Sequence, residues 1–308
     1  MGKIRNLKYQ FKRCIDANFC EGINKHSLKQ TGKKGTEVFS YSQRKNLIDL
    51  SANFSNWMKE KYPEIRQVKD VTQMHIQEFL STKRECTSQA TLDNWRSQFN
   101  KLEKIVSCVY RCDVNYHTEK VYSVKNGGGK LRTDMLSEKD YNILLSNSTN
   151  NNFKIALKLS YTFGCRCEEL VRLRYSDIDI KDGVDDKVWG IHIVDSKGKR
   201  TRFVKATNEK QKQLIKELKE NGQQGRVCAI QKGSLMQAMN REKKKNGISS
   251  HSDFHASRKA FATNKYLECR EQGKSIQESL NVVSGQLGHS ENGSRNSLMK
   301  EYICCPIV

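Results

Sequence analysis

His255-Ala256-Ser257-Arg258, Leu287-Gly288-His289 and Tyr302 crowd the last fifth of the chain, and a second arginine stands upstream in Gly164-Cys165-Arg166-Cys167-Glu168-Glu169-Leu170. These residue types suit one task, holding a phosphodiester and attacking it. Guanidinium groups grip anionic oxygens with a planar fork. Imidazoles donate or accept protons, and a phenol can serve as nucleophile. A phosphodiester resists attack because it is anionic and its alkoxide leaves poorly. A protein that cleaves it without metal must neutralise the non-bridging oxygens, activate a nucleophile and protonate the leaving group. Arg166 and Arg258 suit the first role, and His289 can add a hydrogen bond to the same oxygens. His255 lies one helical turn before Arg258 on the same face, where it can accept a proton or donate a hydrogen bond. Tyr302 is the one tyrosine after Tyr266.

Charge points to the substrate. Among 308 residues, 55 Lys and Arg face 34 Asp and Glu, a net charge of +21 spread along the chain. A polyanion is the expected partner, and nucleic acid is the commonest. The carboxylates nearest the Arg166 motif (Asp177, Asp179, Asp182, Asp185 and Asp186) read as a solvated turn rather than a cluster for divalent ions, which disfavours a metal-dependent nuclease. The 11 cysteines form no regular framework, and the first residues lack an apolar leader, so reduced thiols in the cytoplasm are expected. Cys108, Cys112 and His117 lack a fourth ligand for zinc, and the cysteines read as buried helix residues. No run approaches the ~20 apolar residues of a membrane span. No cofactor is expected.

The elements that must position these groups fall into four stretches. Residues 1–36 are Lys-rich and read as a basic N-terminal arm. Residues 37–122 carry helical periodicity, with Leu47, Leu50, Phe54, Trp57 and Met58 in one segment that ends near Pro63. A second helix carries Ile76, Phe79 and Leu80. A third, capped by Ser88 or Thr91, carries Leu92, Trp95, Phe99, Leu102, Ile105 and Val106. Residues 123–134 contain three consecutive glycines and read as a linker. From 135 to 308, helices are expected around 141–147, 153–163 and 168–174. A basic-tipped hairpin follows, with strands at 188–194 and 201–204. Four more helices, at about 208–220, 233–245, 255–270 and 276–287, precede a final segment. The expected fold is mainly α with a small β-hairpin or sheet.

The wording of the motifs resembles one family, the tyrosine recombinases or phage-type integrases. Tyr161 to Leu170 is similar to the family's first motif, and Leu173-Arg174-Tyr175-Ser176-Asp177-Ile178 to its continuation. Ser196-Lys197-Gly198-Lys199 resembles the hairpin that bears an active-site lysine. His255 to Thr263 and Leu287-Gly288-His289-Ser290 resemble the second and third motifs. The likeness covers roughly residues 135–303. It implies an all-helical core-binding domain before an α+β catalytic domain. The implied activity is site-specific recombination of double-stranded DNA through a covalent 3′-phosphotyrosyl bond, without metal or ATP. Tyr302 would be the nucleophile, Lys197 the general acid (Lys199 being the alternative), and Glu169 a support for Arg166 or a neighbouring helix. A tetramer on paired sites and accessory DNA-bending proteins are the implied partners. Two features depart from the pattern. The interval from His289 to Tyr302 is wider than usual, and only six residues follow Tyr302. The competing readings are a type IB topoisomerase-like relaxing enzyme and a non-cleaving DNA-binding relative.

Overall fold

The computed structural model describes residues 5–23, 35–125, 134–182, 187–194, 196, 201–220, 224–248, 253–289 and 301–306. It divides into two compact units, Met1–Lys130 and Leu131–Val308.

The first unit is helical. Helix α1 (Leu7–Ala17) starts where the Asn6 side chain accepts the Tyr9 N–H. Helix α2 (Tyr41–Lys61) is capped by Ser40 and stops before Pro63, whose ring disfavours a helical conformation in the residue ahead of it. Helix α3 (Gln73–Thr82) follows a 3-10 turn at Val68–Asp70. Helix α4 (Gln89–Tyr110) is capped by Ser88. Phe54 of α2 is the hub of the core, edge-on to Phe79 at 5.3 Å and to Phe99 at 5.2 Å. The stretch expected to be a basic arm departs from that expectation. Leu7, Phe11, Cys14 and Ile15 recur at helical spacing and are buried in this core, while Lys8, Lys12 and Arg13 face solvent. Cys108 also differs from expectation. It is exposed, because the buried stripe of α4 runs through Leu102, Ile105 and Val106, and Cys112 lies beyond the helix end.

The second unit opens with α5 (Glu138–Asn147), whose Ser137 hydroxyl accepts the Asp140 N–H at 3.0 Å. Helix α6 (Asn151–Phe163) is capped by Asn150 and ends at Gly164 in the left-handed region. Helix α7 (Cys167–Leu170) is a single turn rather than the longer helix expected to Arg174. The chain leaves it because Arg174 pairs with Arg226 as an isolated antiparallel bridge, and the Asp177 carboxylate takes the Arg174 N–H at 2.8 Å.

Strands β1 (Ile178–Asp182), β2 (Lys187–Ile193) and β3 (Arg202–Lys205) form an antiparallel sheet in that order. The acidic stretch read as a solvated turn is therefore partly a strand. Ile178 is buried and Ile180 packs on the core, while Asp179 on the opposite face meets His192 at 3.2 Å. Helices α8 (Glu209–Glu220), α9 (Lys232–Lys245), α10 (Phe254–Glu271) and α11 (Ile276–Gln286) complete the unit. Helix α10 is its axle. It packs against α6 and α11, and residues 256–263 are buried on every side. Among the described residues, no helix is long and apolar enough to cross a membrane.

Candidate active site

Two glycine turns aim the site. Gly164 ends α6 with φ +64°, and a Cβ there would collide with the Phe261 ring and touch Leu287 at 3.1 Å. No other residue fits that conformation and that space together. The turn hands the chain to Arg166, the residue capping α7, whose own N–H donates to Glu169 Oε2 at 2.8 Å. Gly288 follows α11 with φ +71°, and the Arg202 side chain runs 2.9 Å from where its Cβ would stand.

Glu169 is the anion around which the cations assemble. Its side chain is 3% exposed. Arg202 grips it bidentately, with Nη1 to Oε1 and Nη2 to Oε2 both at 2.9 Å. Arg166 Nη1 donates to Oε1 at 2.8 Å, and the Ser196 hydroxyl donates to the same oxygen at 2.6 Å. Arg258 Nη1 lies 3.9 Å from Oε2. Burial pushes the Glu169 carboxyl up. The hydrogen bond and charge of Arg202, the charge of Arg258 and the Ser196 hydroxyl outweigh it and hold the group at about 2.

Arg258 is wholly buried. Its Nη1 donates to the Gly164 carbonyl and its Nη2 to the Leu287 carbonyl at 2.6 Å, so it ties the end of α6 to the end of α11. Its Nε has no hydrogen-bond partner. Burial, then the neighbouring charge of Arg166, lowers Arg258 to about 10, against the pull of Glu169. At neutral pH it is still a cation. Arg202 completes the frame by donating from Nε to the Gln286 carbonyl at 2.9 Å. The strand β3, the α7 turn and the end of α11 thus meet on one side chain.

Tyr302 lies over this frame and is 7% exposed. The Arg258 Cζ stands 5.5 Å from its ring centroid. His255, exposed in the first turn of α10, meets the ring edge-on at 5.3 Å, and His289 meets it at 5.2 Å. His289 Nε2 is 3.4 Å from Arg166 Nη2. The structure therefore brings together Arg166, Glu169, His255, Arg258, His289 and Tyr302. Lys197 and its alternative Lys199 lie outside the described residues. Arg202 and Ser196 were not singled out from the sequence motifs. Arg202 had a signal, since Thr201–Val204 reads as a strand and puts Arg202 on the same face as the buried Val204.

Three guanidinium groups meeting one carboxylate leave an excess of positive charge beneath a phenol flanked by two imidazoles. Such a cluster can draw an anion toward Arg166 and Arg258 and present the phenol to it. Among the described residues, no group of three or more His, Cys, Asp or Glu is placed to hold a metal ion.

Comparisons with known proteins agree with the fold. The phage integrase family profile matches residues 134–292, just over half of the chain, and ends ten residues before Tyr302. The chain belongs to this family, that of the tyrosine recombinases. No curated protein matches. Among solved structures, the chain is similar to the XerH site-specific recombinase bound to palindromic difH substrate in a post-cleavage complex. The TM-score there is 0.60 at 17% identity, covering 96% of this chain and 90% of that one. It is similar to a lambda integrase tetramer bound to a Holliday junction, with TM-score 0.60 and 17% identity, over 94% of this chain and 79% of that one. It also resembles the Tn1549 transposon integrase in complex with transposon right end DNA, with TM-score 0.54 and 12% identity, over 97% and 94%. These likenesses establish a tyrosine-recombinase fold, mostly helical with a small antiparallel sheet.

Proposed function

We propose that the chain is a site-specific DNA recombinase that cleaves and rejoins double-stranded DNA through Tyr302, without metal or ATP. One observation carries this reading: the Tyr302 ring sits between His255 and His289 above Arg258, whose buried Nε has no acceptor. A scissile phosphate supplies the missing acceptor and the missing negative charge. Arg166 and Arg258 hold its non-bridging oxygens, and His289 adds a hydrogen bond to them. The Tyr302 oxygen attacks phosphorus and passes its proton to His255. The bond to the 5′ oxygen breaks, and Lys197 protonates that oxygen. The product is a 3′-phosphotyrosyl linkage and a free 5′ hydroxyl. Attack by a 5′ hydroxyl reverses each step, so the linkage energy is kept and no nucleotide cofactor is consumed. Glu169 and Arg202 act through Arg166 and Arg258 by fixing where their forks point.

The excess of Lys and Arg supplies sequence-independent affinity for the DNA backbone, which weakens as salt rises. Two structures of one relative, lambda integrase, support an assembly on DNA, one being a tetramer on a Holliday junction and one a dimer on a COC′ core site. By the same reading this chain pairs two sites as a tetramer, with accessory DNA-bending proteins as helpers. The test uses nicked duplexes carrying the DNA that flanks the gene, in buffer with EDTA and no nucleotide. Denaturant-resistant protein–DNA adducts from the wild-type chain, absent from Tyr302→Phe, are expected. Adducts that persist in Tyr302→Phe refute the nucleophile assignment.

A further inference from the structure

A nucleophile must be held as well as activated. Helix α10 carries His255 and Arg258 and also, one and a half turns beyond Arg258, Thr263. Thr263 is 1% exposed. A threonine inside a helix commonly turns its hydroxyl back onto its own helix. Here the hydroxyl accepts the Cys304 N–H at 2.9 Å and donates to the Tyr302 carbonyl at 3.4 Å. Both bonds fall on the main chain directly after the tyrosine. The residue between them, Ile303, is buried in the apolar cluster that holds Tyr266 of α10, Leu280 and Val283 of α11, and Leu287 just past the end of α11.

We infer that Thr263 is a positioning residue that clasps the main chain beside Tyr302 and so sets the phenol against the groups that flank it. The inference rests on the reading of Tyr302 as nucleophile. Its physical content is a short, stiff path. One helix fixes His255 and Arg258 at one end and the backbone of the nucleophile at the other. With residues 302–304 pinned by a hydroxyl and an apolar plug, the phenol has mainly its own side-chain torsions left to search. Without the clasp the same chemistry is present, but the attacking oxygen samples a wider volume.

The test compares wild type, Thr263→Val and Thr263→Ser on the nicked duplexes, in single turnover, measuring the rate of adduct formation and DNA affinity separately. Valine keeps the shape and removes both hydrogen bonds. Adduct formation in Thr263→Val is expected to slow by roughly tenfold to a hundredfold with DNA affinity unchanged, and Thr263→Ser to recover to within about threefold of wild type. A second variant covers a folding failure at the buried site. An ester in place of the Ile303–Cys304 amide, introduced by ligating a synthetic C-terminal peptide, removes the same N–H and leaves α10 intact. It should slow adduct formation in the same sense. Variants that react at the wild-type rate overturn the clasp and leave the nucleophile standing. A loss of rate matched by an equal loss of DNA affinity, or a serine variant as slow as valine, also overturns it. A wild-type chain that forms no adduct overturns the nucleophile reading and the clasp with it.

Discussion

Replacing Glu169 by Gln removes one negative charge and keeps the shape. The carboxyl sits at about 2 when folded, against an ordinary 4.5. A tenfold change in ionisation is about 1.4 kcal/mol, so the folded state favours the carboxylate over a neutral group by about 3 kcal/mol. Glu169→Gln should therefore destabilise the second unit by about 3 kcal/mol at neutral pH, within the range for breaking a buried ion pair. The sign with pH follows from the depressed value. The stabilisation is complete above about 4.5 and is lost as pH falls through about 2, with roughly half left near pH 3. Urea unfolding can isolate this unit by fluorescence. Trp57 and Trp95 belong to the first unit and Trp189 to β2, so a background with Phe at 57 and 95 reports on the second unit alone. In that background, the stability gap between the chain that keeps Glu169 and its Glu169→Gln variant should be large at pH 7 and about half as large at pH 3. A gap near zero at pH 7, or one that stays constant between the two, would refute the reasoning about a charge-organised frame.

Two further outcomes follow from the site. Gly288→Ala puts a Cβ 2.9 Å from the Arg202 side chain at a left-handed φ, so it should lower stability by about 1–3 kcal/mol and slow adduct formation, read by urea unfolding and the nicked-duplex assay. Lys197→Ala should slow cleavage of ordinary DNA, and a bridging 5′ sulfur in the scissile linkage should restore the rate, because a thiolate leaves without a proton. If Lys199→Ala shows that pattern instead, the general acid is Lys199.

Much of this architecture was legible because it rests on local rules. Ser88 and Ser137 cap helices by taking an N–H three residues on, a signal carried by the residue itself. His255 and Arg258 share a helix turn, so their proximity follows from spacing. What stayed hidden depends on partners distant in sequence. Arg202 reads as one of many basic hairpin residues until Ile193 lies opposite it and Glu169 beneath it. The strand β1 is masked by its acids, since only pairing with β2 shows that Ile178 and Ile180 share the core face. The stripe of α1 was readable at Leu7, Phe11, Cys14 and Ile15, but lysines on its outer face dominate the composition. Thr263 ends a recognisable motif, yet its link to Tyr302 spans 39 residues.

The most direct measurement is the site of attachment. Adduct trapped on a nicked duplex is digested with protease and nuclease, and the peptide bearing the residual nucleotide is sequenced by mass spectrometry. A 3′-linked nucleotide on Tyr302 is the expected result. A nucleotide on any other residue contradicts the account.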